Sequence, residues 1–161
     1  MFINLHHKQV VVVGGGNIAT RRVEVLLNFD CRIKVIAPKM TPTLSEYSSK
    51  GRITLIVREY REEDGKDADI LLAATNQREI NHKIFLYAKA NGILVNVCDK
   101  KEECDFYFPG VVVKDDIVVG VTSSGNNHGL TKEIKDKISK VMNEEFRLLS
   151  KGAKAPESRL L

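Results

Sequence analysis

Three consecutive glycines, Gly14-Gly15-Gly16, followed by Asn17-Ile18-Ala19, are the residues of this chain best suited to holding a charged ligand. The run matches G-x-G-x-x-A. In that pattern Gly14 permits a tight turn, Gly16 lets a pyrophosphate reach the main chain with no Cβ in the way, and Ala19 is small enough for a helix to pack closely on a strand. The unpaired N–H groups around Asn17 and Ile18, at the start of the helix, then hold phosphate with help from the helix dipole. A glycine triplet by itself is also an ordinary turn. The strand before it and the helix after it favour a dinucleotide.

Other candidates follow the strands. After the second strand the chain reads Ile36-Ala37-Pro38-Lys39-Met40. An acidic residue there would accept a hydrogen bond from the ribose 2′-hydroxyl of NAD, and a basic one suits a 2′-phosphate. None of the five is acidic. Lys39 therefore keeps NADP open beside NAD, or is a solvated surface lysine. Ala73-Ala74-Thr75-Asn76 ends the fourth strand; its small residues admit a flat ring, and Thr75 and Asn76 offer hydrogen bonds or cap the next helix. Asn96-Val97-Cys98-Asp99 ends the fifth. A carboxylate at that edge, Asp99, can act as a general base if its surroundings tune it, or it caps the following turn. Asp105 is a second candidate, farther from the strand end.

Metal chemistry finds little support. Cys98 and Cys104 do not have zinc-ligand spacing and no second pair follows. His6 and His7 lie near the terminus, His82 falls in a helix, and His128, in a glycine-rich loop, is the histidine to consider near a ligand. Ser123-Ser124-Gly125-Asn126-Asn127 has no Ser-His-Asp logic and reads as a helix-capping turn or a substrate-binding loop.

The elements that must position these groups are read from periodicity. Residues 9–13, 33–36, 53–57, 69–74 and 93–98 are short apolar runs of the buried parallel-strand kind. Between them lie helices over residues 17–28, 41–49 (Thr41 as cap, Pro42 at the first position) and 78–90. Alternation of this sort implies right-handed crossovers and a parallel sheet covered on both faces. After Cys104 the pattern changes. Residues 106–113 and 117–122 flank the turn Lys114-Asp115-Asp116, a hairpin or strand pair at the sheet edge. From Gly129 onward Leu130, Ile134, Ile138, Val141, Met142 and Leu149 mark an amphipathic helix, and the last ten residues are expected to fray.

The expected fold is therefore α/β: a Rossmann-type parallel sheet with helices on both faces over residues 1–105, then a strand pair and a C-terminal helix over 106–161. The 161 residues, 43% hydrophobic, suffice for a real core. No apolar run approaches the roughly 18 residues that span a bilayer, and the N-terminus lacks the order of a secretion signal, so a cytoplasmic, reducing setting without membrane partner is expected. A net charge of +4 suits an anionic ligand better than nucleic acid, which calls for denser basic clusters.

Taken together, Val12-Val13-Gly14-Gly15-Gly16-Asn17-Ile18-Ala19 with Arg21-Arg22, Ile36-Ala37-Pro38, Ala73-Ala74-Thr75-Asn76, Val95-Asn96-Val97-Cys98-Asp99, Cys104-Asp105-Phe106, Phe108-Pro109 and Ser123-Ser124-Gly125 resemble the precorrin-2 dehydrogenase family, the dehydrogenase part of siroheme synthases. The resemblance spans about residues 1 to 149. It implies NAD-dependent oxidation of precorrin-2 to sirohydrochlorin, a tetrapyrrole bearing many carboxylates, on the way to siroheme or cobalamin. It implies Asp99 as the catalytic carboxylate. It places Asn17, Ile18, Pro38 and Lys39 against the dinucleotide, beside the Gly14, Gly16, Thr75 and Asn76 read above, and Ser124 near the tetrapyrrole; Arg21, by its charge, and His128, by its loop, are expected on the substrate side as well. It also implies a homodimer formed through the segment after the parallel sheet. Two features depart from the family: its helical domain continues beyond the helix starting near Gly129, and its loop after Ser124-Gly125 carries a lysine and a proline where this chain has Asn126-Asn127-His128-Gly129. The rival expectations are a bifunctional dehydrogenase and sirohydrochlorin ferrochelatase, and a non-catalytic module that binds nucleotide or tetrapyrrole.

Overall fold

A computed structural model describes residues 3–123 and 126–152, with side chains as far as residue 144. The elements run β1 (Gln9–Val13), α1 (Asn17–Leu26), β2 (Arg32–Ile36), α2 (Pro42–Ser49), β3 (Thr54–Ile56), β4 (Ile70–Ala73), α3 (Arg78–Ala90), β5 (Leu94–Val97), β6 (Gly110–Lys114), β7 (Ile117–Val121) and α4 (His128–Gly152). Single 3-10 turns lie at Glu62–Gly65 and Lys101–Glu103. The chain divides into two compact units after Tyr107.

The first unit is a five-stranded sheet in the order β3-β2-β1-β4-β5, parallel throughout. Its middle strand shows why the sequence folds this way. Successive residues of a strand point to opposite faces, yet Val10, Val11 and Val12 are all fully buried, so both faces of the sheet are covered. α1 buries Ala19, Thr20, Val23 and Leu26, one stripe at three- and four-residue spacing. α3 likewise buries Ile84 and Ala88 in a core with Val11, Val13, Leu71 and Val95. Burying a side chain the size of Ile84 contributes roughly 1.5–3 kcal/mol. α2 begins as expected, with Pro42 in its first turn and the Thr41 hydroxyl accepting from the Leu44 N–H (3.4 Å).

Strand order reverses between β1 and β4, which opens a crevice at the carboxyl edge of the sheet. The outer flank of β5 is closed in a different way. The Asp105 N–H donates to the Val95 carbonyl (2.8 Å), and the Asp105 carboxylate accepts from the Val95 N–H (3.0 Å). Two residues on, the Cys104 thiol donates to the Val97 carbonyl (3.2 Å) and accepts from the Val97 N–H (3.2 Å). Burial pushes that thiol's pKa up, so it keeps the proton it donates. Cys104 and Asp105 thus occupy the groups that a sixth strand would use. Of the two expectations for the last strands the hairpin holds: among the described residues β6 and β7 pair with each other, antiparallel, from Gly110↔Val121 to Lys114↔Ile117, and not with the five-stranded sheet.

In the second unit the β6–β7 turn places Asp115 at φ +49°, a left-handed conformation that aspartate tolerates better than most residues. α4 lies along β6, with Thr131 and Lys135 over Gly110. On α4 the apolar Leu130, Ile134 and Val141 are exposed, and Ile138 and Met142 are half-buried. The fraying expected for the last ten residues falls almost wholly outside the described residues.

Candidate functional site

Gly14, Gly15 and Gly16 occupy the turn from β1 into α1, and each is glycine for a different reason. Gly14 has φ +126°, and a Cβ there would sit 2.2 Å from the Ala74 carbonyl oxygen. The β1 and β4 loops therefore touch main chain to main chain. At Gly15 a Cβ would lie 2.1 Å from the Lys39 carbonyl oxygen, and the Gly15 carbonyl accepts from the Thr41 N–H (2.9 Å). Gly16 is different. Its backbone is extended (φ −84°, ψ −172°), which any residue adopts, and no atom stands within 4 Å of where its Cβ would be. Among the described residues nothing requires glycine at 16. The empty space above it suits a ligand that approaches the main chain.

That space lies over the start of α1. Gly16 is the cap residue, makes no side-chain cap bond, and no acidic residue occupies the first turn. The first amide of α1 to find a helical partner is that of Thr20, which donates to the Gly16 carbonyl (3.0 Å). The N–H groups before it are available to an anion. The Thr20 hydroxyl also bonds Gly16 O (3.0 Å) and the Thr41 hydroxyl (2.8 Å). The glycine turn is in this way fastened to the β2–α2 loop.

A cavity of about 500 Å³ opens from this turn, lined by Gly14, Gly16, Asn17, Ile18, Pro38, Lys39, Thr75 and Asn76 among others. Every residue assigned to the cofactor from sequence thus faces one space, within the size range of roughly 300–1,000 Å³ usual for ligand sites. A dinucleotide fits its chemistry: bare amides at one wall, with apolar Val13, Ile36 and Ile80 beside them.

Thr75 does two jobs. Its N–H and hydroxyl donate to Asn81 Oδ1 (3.2 and 2.7 Å), and Asn81 Nδ2 returns a bond to the Thr75 carbonyl (3.1 Å). The hydroxyl also accepts from the Gln77 N–H at the start of α3 (3.1 Å). Asn81 is fully buried, so it shapes the β4–α3 loop from behind. Sequence reading passed over it, because a polar residue on a helix face gives no sign of which loop it will meet. Glu59 and Tyr60, from the loop after β3, also line the cavity and were likewise missed.

The carboxylate candidate lies just outside this lining. Asp99, two residues past β5, accepts a bond from Arg78 (3.1 Å) at the first residue of α3, next to the cavity-lining Gln77. Arg78 also pairs with Glu103, and His82 Nδ1 lies 3.0 Å from the same Glu103 oxygen. Burial raises the Glu103 pKa, but hydrogen bonds from Arg78 and His82 outweigh it and hold the carboxyl below its ordinary range. Asp105 is taken by β5 and by Lys89 (2.7 Å).

The remaining assignments are more scattered. Arg21 is exposed on α1, its Nε 3.4 Å from the Asn17 carbonyl, and does not line the cavity. His128 is exposed at the first position of α4, in the second unit. Ser124 lies outside the described residues. Lys39 lines the cavity, whereas on the loop after β5 Lys100 pairs with Glu102 (3.4 Å) and Lys101 lies over the Tyr107 ring (5.7 Å). Arg22 stands beside Cys98, partly offsetting the burial that pushes that thiol up. The sequence assigned no metal ligands; His6, His7 and Asp30 do meet at an exposed spot, their ligand atoms within 4.8 Å of one another. Among the described residues no helix is long and apolar enough to cross a membrane.

Comparison with known proteins places these features in context. Residues 1–110 match a family model described as "Putative NAD(P)-binding". The chain is 44% identical over 142 residues to the "Probable multifunctional siroheme biosynthesis protein HemA" of Ruminiclostridium josui, covering 88% of this chain and 28% of that protein. It is 32% identical over 160 residues to the siroheme synthase of Nitrosococcus oceani, covering 99% of this chain and 34% of that one. It thus spans about a third of the length of these curated relatives. Among solved structures, SirC, a precorrin-2 dehydrogenase, superposes with a TM-score of 0.74 at 26% identity, over 99% of this chain and 83% of that one.

Proposed function

We propose, from the premise that this chain belongs to the precorrin-2 dehydrogenase family of NAD(P)-binding proteins, that it oxidises precorrin-2 to sirohydrochlorin with NAD. The observation that carries the reading is the open space over Gly16, at an uncapped helix start, in a cavity lined by all eight residues assigned to the cofactor. Bound there, the nicotinamide supplies a hydride acceptor. The chain's own part is to hold the dinucleotide and the macrocycle together and to receive the proton that the oxidation releases.

The amides before Thr20 hold the pyrophosphate. Asn81 sets Thr75 and Asn76 at the nicotinamide end. Asp99 is the general base: Arg78 engages Oδ1, and the proton is taken at Oδ2. Arg21, Ser124 and His128 are the residues we assign to the carboxylate-rich substrate. Residues 1–105 act as the dinucleotide unit and 106–161 as the dimerisation unit. The exposed Leu130, Ile134 and Val141 support a partner at α4, and a second copy of the chain is the partner we assign. The setting we assign is cytoplasmic.

Mixing precorrin-2 with NAD and this protein tests the reading. A sirohydrochlorin absorbance spectrum is expected, and binding without conversion refutes the enzymatic assignment. Asp99→Ala should lower turnover at least a hundredfold, the scale of one general base, with NAD affinity nearly intact. Unchanged turnover removes Asp99 from the mechanism. Light scattering of the purified chain reports the dimer.

A further inference from the structure

We infer that Glu59, on the loop after β3, reads the adenosine ribose in place of the acidic residue missing after β2, and that it selects NAD over NADP. This rests on the dinucleotide reading above and deepens it. In a sheet ordered 3-2-1-4-5 the pyrophosphate sits at the β1/β4 reversal and the adenosine turns toward β2 and β3. On that side the cavity is lined by Pro38 and Lys39 from the β2 loop and by Glu59 and Tyr60 from the β3 loop.

Register explains how a residue from the next strand reaches the same rim. Ile36 pairs with Ile56, and the Ala37 N–H still donates to the Ile56 carbonyl (3.2 Å). Lys39 and Glu59 therefore leave the sheet edge at the same step, three residues past that pair. The charges decide what they recognise. Arg58, the loop's other candidate for a phosphate, is already held by Asp64 through two bonds (2.7 and 2.6 Å). Tyr60 is neutral: burial drives its phenol well above the ordinary range, and its hydroxyl is buried without a hydrogen-bond partner. No ion pair engages the side chain of Glu59 or of Lys39 among the described residues. The rim thus offers one cation and one carboxylate. A ribose hydroxyl can donate to the carboxylate, whereas a 2′-phosphate brings about two negative charges against it.

The test is calorimetric titration of the intact chain with NAD+ and with NADP+, for the wild type, Glu59→Gln and Lys39→Ala. The wild type is expected to prefer NAD+. Glu59→Gln should weaken NAD+ about tenfold, the scale of one hydrogen bond to a charged group, and should tighten NADP+, narrowing the preference at least tenfold. Lys39→Ala should leave the preference for NAD+ in place. A wild type that prefers NADP+, or a Glu59→Gln variant with an unchanged ratio, overturns the role of Glu59 while the dinucleotide reading stands. A wild type that binds neither dinucleotide overturns both.

Discussion

Exchanging two neighbouring glycines for alanine separates what the fold needs from what the ligand needs. At Gly16 the added methyl meets nothing within 4 Å, and the backbone is one alanine adopts freely. Alanine stiffens the unfolded chain, a gain of about 0.4–1 kcal/mol. It is also a poorer cap residue than glycine, a loss of up to roughly 1 kcal/mol. The two nearly cancel, so Gly16→Ala should melt within about 3 °C of the wild type. Its effect falls on binding. The methyl fills the approach to the amides of α1, and losing one or two charge-assisted N–H bonds at about 1.5–3 kcal/mol each weakens NAD+ roughly 10- to 10,000-fold.

Gly14→Ala should behave in the opposite way. Its Cβ would lie 2.2 Å from the oxygen, 2.6 Å from the carbon of the Ala74 carbonyl and 3.1 Å from the Thr75 nitrogen. These are main-chain atoms that cannot swing aside. Strain at φ +126° costs about 1–3 kcal/mol and the overpacking about as much again. The sum is a large share of the roughly 5–15 kcal/mol that holds a domain, and the melting temperature should fall by about 5–20 °C. Thermal melts and NAD+ titrations on the two variants read both effects. If Gly16→Ala binds NAD+ within about twofold of the wild type, the pyrophosphate does not rest on the amides of α1. If Gly14→Ala melts like the wild type, the β1 and β4 loops do not touch as described.

Asn81→Ala removes all three bonds to Thr75; a loss of about 1–3 kcal/mol, with NAD+ affinity lowered severalfold, is expected from melts and titrations. Arg78→Gln frees Asp99 and should reduce kcat about tenfold with NAD+ affinity within about twofold; an unchanged kcat shows that Arg78 does not position Asp99. Asp64 is held below the ordinary carboxylate range by hydrogen bonds from Arg58, against the opposing pull of burial and with help from the Arg61 N–H. Because its folded pKa is depressed, its stabilising effect is present above the usual pKa of about 3.9 and is lost as pH falls toward the depressed value. Asp64→Asn should therefore melt several degrees lower at neutral pH, and the difference should shrink as the pH falls below about 3.9.

Much of the site was legible because its information is local. The turn from Gly14 to Ala19 carries its strand, its loop and its helix within a dozen residues, and Pro42 and Thr41 announce α2 in the same way. Boundaries slipped by one or two residues where apolar runs outlast their pairing: residues 53–57 read as one strand, but only Thr54–Ile56 finds partners in β2. The expected strand over 106–113 begins only at Gly110, because Cys104, Asp105 and the Phe106 carbonyl are spent on β5 and on Asn96. Glu59 and Asn81 escaped notice for a related reason. Their meaning depends on which distant residue they stand beside, and that is fixed by sheet register and helix rotation rather than by neighbours in the chain.

The closed flank of β5 also limits how copies of this protein can meet. An open strand edge is a template on which another chain can add its own strand, extending into a continuous intermolecular sheet or, when uncontrolled, into fibrils. Here the thiol of Cys104 and the carboxylate and main-chain N–H of Asp105 already hold the outward donors and acceptors of Val95 and Val97. Joining along that border would first have to strip them away. Self-association is thereby steered to side-chain packing elsewhere, and a small thiol-directed reagent that reached Cys104 would release the Val97 groups while Asp105 still held those of Val95.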